Sequence, residues 1–524
     1  MKAKVKFRFF AAVIAAAVIF SSCEKVSETE DMVSLTHIYP SETVLQTETE
    51  LTDGFEVQQA AETTSQTETA ETSALTTEET VTTTETAAAE ATFAEPTTAE
   101  ETRTETEITK ATIQYESPSE ALTMPPETTA ASSEAASQET TVIATAVAGV
   151  TDVNNSYSAV NFSEQKGFWI SYLEYMSIMK NKSESSFKKS VETYCDNIAD
   201  LGFNTVYVHV RAFGDAYYSS SIFPSGEQFN GTIGTKNNFD ALQIMIDCAH
   251  ARGLSVHAWV NPMRLMTAAQ MQGIDDKYQI KKWYKSKNGT YIVETGGRLY
   301  LNPAYSEVTE LIADGISEII NNYDVDGIQI DDYFYPTTAA SFDKAAYSAS
   351  GTSLSLSGWR ISNVNKMVKK LYNAVHNAND TVMFGISPQG SLENNYDELY
   401  ADVRTWCSES GYCDYILPQV YFGFENAALP YDKVISEWSG MVTNRNVKLV
   451  IGLAAYKIGA ADNYAGSIGK NEWLNNSDIM ARQMTSAQRL PNYGGVALYR
   501  YESIFAPGSD VAEQVNKELK NISK

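Results

Sequence analysis

From about Phe162 onward, this sequence repeats one unit, a short apolar segment followed by an amphipathic segment of helical period. Eight such units follow one another. Their predicted strands are Gly167–Tyr172, Asn204–Arg211, Leu254–Arg264, Ile328–Asp331, Val382–Gly390, Asp414–Phe422, Val447–Tyr456 and Gly494–Tyr501. Repeated βα units favour parallel strands with right-handed crossovers, and eight of them close a barrel. The predicted fold class is therefore α/β, a (β/α)8 TIM barrel. An open doubly wound sheet is the alternative, disfavoured because no GxGxxG or phosphate loop follows the first strand.

The N-terminus of the chain has the pattern of an export signal. Lys2, Lys4, Lys6 and Arg8 precede an apolar run at 9–20, and Ser21-Ser22-Cys23 follows. The run is too short for a comfortable membrane span. Residues 1–23 therefore resemble a bacterial lipoprotein signal, in which Cys23 becomes the lipidated first residue. Because phenylalanine stands at position 20, where leucine is usual, ordinary cleavage or an uncleaved anchor stays open, and all three readings export the chain.

Residues 24–160 are predicted to be a disordered linker rich in Thr, Glu and Ala. Large apolar residues are too sparse there to offset the entropy of an ordered chain. Residues 24–150 hold 26 acidic and three basic residues, whereas the whole chain has a net charge of −27. The acidity therefore belongs to an extended, self-repelling stalk. Nothing basic and aromatic in the sequence indicates nucleic-acid binding.

The five cysteines do not form a disulfide scaffold. Cys195 and Cys248 lie in helical patterns and are predicted to be buried thiols. Cys407 and Cys413 are close enough in sequence to pair in an oxidising compartment or to remain thiols. No CxxC motif or His/Cys cluster indicates a metal, so we expect neither a metal nor another cofactor.

The stretch YDVDGIQIDDYFYP at 323–336 is the strongest candidate for a functional site. Its short strand ends in two adjacent carboxylates, Asp331 and Asp332. Residues at the C-terminal ends of barrel strands form the active-site rim, which is the right place for catalytic carboxylates. The alternative is that the pair caps the next helix.

Other strand ends also carry polar or aromatic residues. The candidates for substrate binding are Arg211, His257, Asn261, Arg264, Tyr333, Ser387, Gln419, Tyr421, Tyr456 and Arg500. Taken singly, a residue such as His209 is more often a hydrogen-bonded core histidine, and Trp169 is explained by packing. Together they predict a polar cleft with aromatic walls, which suits sugars because their C–H faces stack on rings and their hydroxyls need many hydrogen bonds.

Seven segments resemble, as a set, the glycosyl hydrolase-like 10 family, once catalogued as a domain of unknown function. They are GFWISY, LGFNTVYVHVRAFGDAYYSS, LSVHAWVNPMR, LNPA, DGIQIDDYFYP, FGISPQG and DYILPQVY, and they run through most of the predicted barrel domain, 161–524. The resemblance implies a glycosidase-superfamily barrel, often exported or lipid-anchored, that acts on bacterial cell-wall glycans. It assigns no catalytic residue by itself.

The carboxylates favour one mechanism. Many retaining barrels carry glutamates after strands four and seven, but here strand seven ends in LAAYKIG without an acid. That departure favours a route in which the 2-acetamido group of the substrate is the nucleophile. We expect Asp332 to be the general acid and Asp331 to orient the acetamido N–H, with Tyr421 or Gln419 at its carbonyl. Arg211, Asn261, Arg264 and Arg500 are expected to hold the substrate, arginines pairing with lactyl carboxylates where peptides are absent.

Two other classes of function stay open. One is a non-catalytic glycan-binding barrel, and the other is a glycosidase of exopolysaccharide or plant polysaccharide with a second acid from Glu393, Asp397 or Glu425. A peptidase is disfavoured because no Ser/His/Asp or zinc arrangement is present. The expected partners are a cell-wall glycan or other polysaccharide and the membrane through the lipid anchor. We expect a monomer on the extracellular face of the bacterial cell membrane.

Overall fold

The computed structural model of this protein describes residues 157–286 and 290–522. The predicted signal, Cys23 and the predicted linker as far as position 156 lie outside the described residues. In the described part of the chain, no helix is both long enough and apolar enough to cross a membrane. The four cysteines there, Cys195, Cys248, Cys407 and Cys413, are free and buried.

Eight parallel strands close a barrel, which confirms the predicted fold. The described strands are β1 Gln165–Ile170, β2 Thr205–Arg211, β3 Ser255–Val260, β4 Ile292–Thr295, β5 Arg298–Leu301, β6 Gly327–Ile330, β7 Met383–Ile386, β8 Tyr415–Ile416, β9 Lys448–Ala454 and β10 Tyr493–Tyr499. The barrel order is β1-β10-β9-β8-β7-β6-β3-β2, and β4 and β5 form a separate antiparallel hairpin.

Helices surround the barrel and fill its connections. They are α1 Tyr172–Met179, α2 Glu184–Asp200, α3 Ala241–His250, α4 Ala268–Gly273, α5 Gln279–Ser286, α6 Ser306–Asn322, α7 Lys344–Ser350, α8 Leu356–Ala378, α9 Leu392–Asp397, α10 Val403–Ser408, α11 Tyr431–Met441, α12 Gly466–Gly469, α13 Glu472–Asn475, α14 Ile479–Ala487, α15 Tyr501–Phe505 and α16 Ala512–Ile522. Short 3-10 turns cover Glu227–Phe229, Ala340–Phe342 and Ala455–Lys457.

Several strands are shorter than the apolar segments predicted, for local reasons. Strand β1 stops at Ile170 because Ser171 caps α1 in a capping box with Glu174. Strands β7 and β8 end before Pro388 and Pro418, residues that cannot donate a ladder hydrogen bond. The residues beyond these strand ends are released into loops at the C-terminal end of the barrel.

The barrel interior is filled by large side chains. Trp169, Tyr207, Trp259, Tyr415 and Leu417 pack together there, and glycines on neighbouring strands make room for them. A Cβ on Gly385 would lie 1.8 Å from the Tyr415 ring, and one on Gly327 would lie 2.3 Å from the His257 ring. The interior is therefore a packed core rather than a pore.

An extended segment at 157–163 lies across the N-terminal end of the barrel. The buried carboxylate of Asp326, just before β6, accepts hydrogen bonds from the Tyr157 hydroxyl and from the Val160 N–H, the latter at 2.6 Å. The carbonyl of Phe162 accepts from Lys448 Nζ at 2.8 Å. The last residues of the predicted linker are thus bonded to the end of the barrel opposite the carboxylate pair.

Candidate active site

Asp331 and Asp332 follow the last residue of β6 and do not cap a helix. The next helical turn begins at Ala340, and α7 is preceded by Asp343. Asp331 is 3% exposed, and its Oδ2 accepts a hydrogen bond from Trp259 Nε1 at 3.1 Å. Its Oδ1 accepts from the Tyr333 N–H at 3.3 Å. The carboxylate is thus held by an indole from the barrel interior.

Asp332 is partly exposed and lies between two glutamine side chains. Its Oδ2 accepts from Gln389 Nε2 and its Oδ1 from Gln419 Nε2, each at 3.1 Å. Gln419 Nε2 also donates to the Ser387 carbonyl at 3.1 Å. The loops that follow β7 and β8 therefore fix the direction of this carboxylate.

Trp259, the donor to Asp331, is itself held in place by buried neighbours. The rings of His209 and Trp259 stack with centroids 3.7 Å apart at 10°. His209 Nε2 donates to Asn261 Oδ1 at 3.0 Å, and Asn261 Nδ2 donates to the Ala212 carbonyl at 3.2 Å. Burial lowers the pKa of His209 well below its ordinary value, so the ring is neutral at pH 7. Asn261 and His209 thus act on the site by fixing Trp259.

Three tyrosines form an aromatic surface at the ends of β8, β9 and β10. The ring centroids of Tyr421, Tyr456 and Tyr499 are 5.8–6.1 Å apart. Tyr456 is 36% exposed. Such rings offer apolar faces together with hydroxyl groups, a combination that suits a sugar ring.

Two arginines flank one phenylalanine on the other side of the barrel end. The guanidinium carbons of Arg264 and Arg298 lie 4.7 and 4.4 Å from the centroid of Phe213. Arg264 is also 4.2 Å from the centroid of Tyr333, which follows the carboxylate pair directly. Burial, and then the charge of Arg264, lower the pKa of Arg298. Positive charge is therefore concentrated beside Asp331 and Asp332.

Arg500 follows β10 and is held by acidic residues. Its Nη1 lies 3.1 Å from Glu174 Oε2 and 3.2 Å from Glu502 Oε2. Glu174 is fully buried, and burial raises its pKa even though the Arg500 charge opposes that shift. Arg500 is thus fixed at the barrel end, with a side chain that is 16% exposed.

Two predicted substrate contacts are not brought to the carboxylates. The predicted inward direction of Arg211 is wrong, because a register shift after His209 pairs Arg211 with the outward-facing Val260. Its guanidinium instead lies over Phe223, 4.4 Å from the ring centroid and beneath Gly315 of α6. It is therefore outside the barrel.

His257 lies inside the barrel but at its far end. It pairs in register with Gly327, the first residue of β6, whereas the carboxylates follow the last. Its Nδ1 is hydrogen-bonded to the Tyr415 hydroxyl at 2.8 Å, and burial lowers its pKa to about 4. It is a neutral core histidine rather than a group at the substrate.

Of the remaining predicted residues, Ser387 lies next to Gln419, whereas the alternative acids lie on the surface. Ser387 is buried, and its backbone joins β6 to Gln419. The alternative acids Glu393 and Asp397 are exposed on α9, and Glu425 is exposed in the loop after β8.

Sequence reasoning missed Gln389, Tyr499 and Arg298. The signal for Gln389 was a repeated Pro-Gln pair, at 388–389 after β7 and at 418–419 after β8.

Comparisons with known proteins place the chain in a family. The family model described as glycosyl hydrolase-like 10 matches residues 164–467. Glycosyl hydrolase YngK of Bacillus subtilis is 35% identical over 302 residues, which are 53% of this chain and 58% of that protein. Glycosyl hydrolase DigH of Escherichia coli K12 is 31% identical over 342 residues, 60% of this chain and 76% of the relative.

The comparison with solved structures finds a distant likeness. The glycoside hydrolase domain of PgaB (BpsB) from Bordetella bronchiseptica aligns with a TM-score of 0.46 at 12% identity, covering 68% of this chain and 99% of that domain. The chain spans little more than half the length of the Bacillus subtilis relative. The matched family and the two named relatives are described as glycosyl hydrolases.

Proposed function

Since this chain belongs to the glycosyl hydrolase-like 10 family, we propose that it cleaves glycosidic bonds in a bacterial cell-wall glycan built from 2-acetamido sugars. The observation that carries the proposal is the carboxylate pair after β6, in which one member is buried against an indole and the other is held at the rim by two amides. Two carboxylates in different surroundings are suited to different roles.

In the proposed reaction, Asp332 is the general acid. It is the more exposed carboxylate of the pair, so it is the one that a leaving glycosidic oxygen can reach. Asp331 orients the N–H of the acetamido group, whose carbonyl oxygen attacks the anomeric carbon. The bond to the leaving sugar breaks as Asp332 gives its proton to the leaving oxygen. Water then attacks the anomeric carbon and opens the five-membered ring that the acetamido oxygen had closed.

The geometry favours Tyr421 over Gln419 as the partner of the acetamido carbonyl. A carbonyl oxygen needs a donor, and both donors of the Gln419 amide are used, by Asp332 Oδ1 and by the Ser387 carbonyl. Tyr421 carries a hydroxyl in the aromatic surface after β8. We therefore assign the carbonyl contact to Tyr421.

The proposed substrate is peptide-free murein. Arg264 and Arg298 concentrate positive charge beside the pair, where lactyl carboxylates exposed by loss of the stem peptide would be attracted. Arg500 supplies a third guanidinium at the opposite side of the barrel end. Export and attachment through Cys23 at the extracellular face of the cell membrane belong to the same proposal, since that is where such a glycan is found.

The test measures reducing ends released from peptide-free murein strands, before and after N-deacetylation of the sugars. We expect hydrolysis of the acetylated strands, first-formed products of retained anomeric configuration by NMR, and little hydrolysis after deacetylation. Equal rates on both substrates, or an inverted product, would contradict the substrate-assisted route. Binding without any release of reducing ends would instead indicate a glycan-binding module.

A further inference from the structure

The segment between β3 and α6 is a basic insertion in an acidic protein. Residues 262–305, here called the basic insertion, contain seven lysines and arginines and three acidic residues, whereas the whole chain has a net charge of −27. The basic insertion comprises α4, α5 and the β4–β5 hairpin, and it leaves the barrel at the C-terminal end of β3. It therefore lies on the side of the barrel that carries Asp331 and Asp332.

A groove of about 480 Å³ lies within the basic insertion. Trp283 and Tyr284 supply aromatic rings to its lining, Ile292 and Leu299 supply buried apolar surface, and Lys285 and Glu294 supply charges of opposite sign. A concave site with a few polar groups among aromatic and apolar side chains has the composition of a small-ligand or sugar site.

The groove is built from parts that are fixed in place. Lys281 is buried, and its Nζ donates to the carbonyls of Met271 and Gln272 at 2.7 and 2.8 Å, which ties α5 to the end of α4. Trp283 stacks on Tyr291 with centroids 4.8 Å apart at 30°. A preformed site loses less conformational entropy when it binds.

The hairpin connects this groove to the carboxylate site. Side chains alternate along β5, so that Arg298 lies over Phe213, the ring that Arg264 also contacts, while Leu299 lines the groove. The main chain of Leu299 is bonded to Leu265 and Met266, the residues that follow Arg264. One short strand thus carries the wall of the active site on one face and the groove on the other.

We propose that the groove of the basic insertion is a second binding site for a negatively charged glycan strand, outside the catalytic site. This rests on the proposed function, because the strand is another part of the same polymer. Trp283 and Tyr284 stack against sugar C–H faces, and Lys285, which is 56% exposed in its ion pair with Asp276, attracts carboxylates of the glycan. A long strand then binds at two places, which increases its avidity over that of a fragment that reaches only one.

The test compares long peptide-free murein strands with the murein tetrasaccharide as ligands of the full chain carrying Asp332→Asn, which slows turnover. Trp283→Ala should weaken binding of long strands about tenfold, equivalent to ~1.4 kcal/mol, and leave tetrasaccharide binding unchanged.

Lys285→Glu, an exposed change that leaves the rings in place, should weaken binding of long murein strands and not that of neutral chitin oligomers of equal length.

The matched control is Tyr412→Ala with Lys369→Ala, an aromatic and lysine pair 5.8 Å apart elsewhere on the surface. It should change neither ligand's affinity. Unchanged long-strand affinity in both groove variants, or an equal loss for the tetrasaccharide, would overturn the second site. A wild-type chain that releases no reducing ends refutes the proposed function instead, since the binding measurement does not depend on turnover.

Discussion

Asp331 and Asp332 are adjacent in the chain but meet different surroundings. Asp331 receives an indole N–H from Trp259, and Asp332 receives two amide N–H groups from Gln389 and Gln419. Hydrogen bonds to a carboxylate are charge-assisted and so fix its direction strongly. The three donors come from three different strand ends, so the site depends on the barrel holding β3, β7 and β8 in register.

Trp259→Phe should slow catalysis while leaving substrate binding nearly unchanged. The substitution keeps an aromatic ring next to His209 and removes only the donor to Asp331 Oδ2. Losing a hydrogen bond to a charged group costs about 1.5–3 kcal/mol, so we expect kcat to fall roughly 10- to 100-fold. The measurement is kcat and KM on peptide-free murein fragments.

Trp406→Phe is the matched control. Trp406 is also buried, and its Nε1 donates to Asn365 at 2.7 Å, in the helical layer outside the barrel. Its loss should lower stability without lowering kcat. Equal effects of the two substitutions on kcat would show that Trp259 acts through stability alone.

The residues of the site could be predicted from sequence only where local pattern decides their direction. Asp331 and Asp332 end a strand of clear alternation, and they lie where the pattern places them. Arg211 continues an equally clear alternation, but the register shift after His209 reverses its face. A bulge depends on the neighbouring strand, so the sequence of β2 alone carries no signal of it.

At the scale of elements, the C-terminal helix is joined to the barrel layer by a buried acid. Glu518 of α16 accepts a hydrogen bond from the N–H of Ile479, the first residue of α14, at 2.8 Å. Burial raises the pKa of Glu518 from its ordinary value of 4.5 to about 7. Below about pH 4.5 the carboxyl is protonated in both folded and unfolded chains and has no effect on stability. As the pH rises towards about 7, only the unfolded chain releases the proton, so the free energy of unfolding decreases.

Glu518→Gln should therefore raise the melting temperature at pH 8 and not at pH 4.5. The amide keeps an oxygen for the Ile479 N–H and removes the cost of a buried charge. Thermal unfolding at the two pH values measures the effect. Glu513→Gln is the control on the same helix, where an exposed ion pair with Lys517 lowers the pKa instead. An equal gain at both pH values would contradict this account of Glu518.

Element types could be predicted better than their bounds. All eight barrel strands were identified from apolar alternation, yet β8 is reduced to two residues because Pro418 follows it closely. The β4–β5 hairpin is absent from the predicted strands, although Gly296-Gly297 is a hairpin turn signal. Its position depends on main-chain bonds to the residues after β3, which no local pattern shows.

At the scale of the whole molecule, the described segment that leads into the barrel and the carboxylate pair lie at opposite ends of the barrel. The segment at 157–163 is bonded to Asp326 and Lys448 at the N-terminal strand ends, whereas the carboxylates and the basic insertion are at the C-terminal ends. The chain therefore enters the barrel at the end opposite the carboxylate pair. Such an arrangement leaves the C-terminal strand ends unobstructed by the segment at 157–163.

The central claim, that the carboxylate pair after β6 performs the chemistry, is tested most directly by Asp332→Asn. The measurement is single-turnover release of reducing ends from peptide-free murein fragments, with fragment affinity measured in parallel. General acid catalysis contributes about 10²–10⁴-fold, so we expect a loss of that size with unchanged affinity. An Asp332→Asn chain that cleaves the fragments at the wild-type rate would contradict the account.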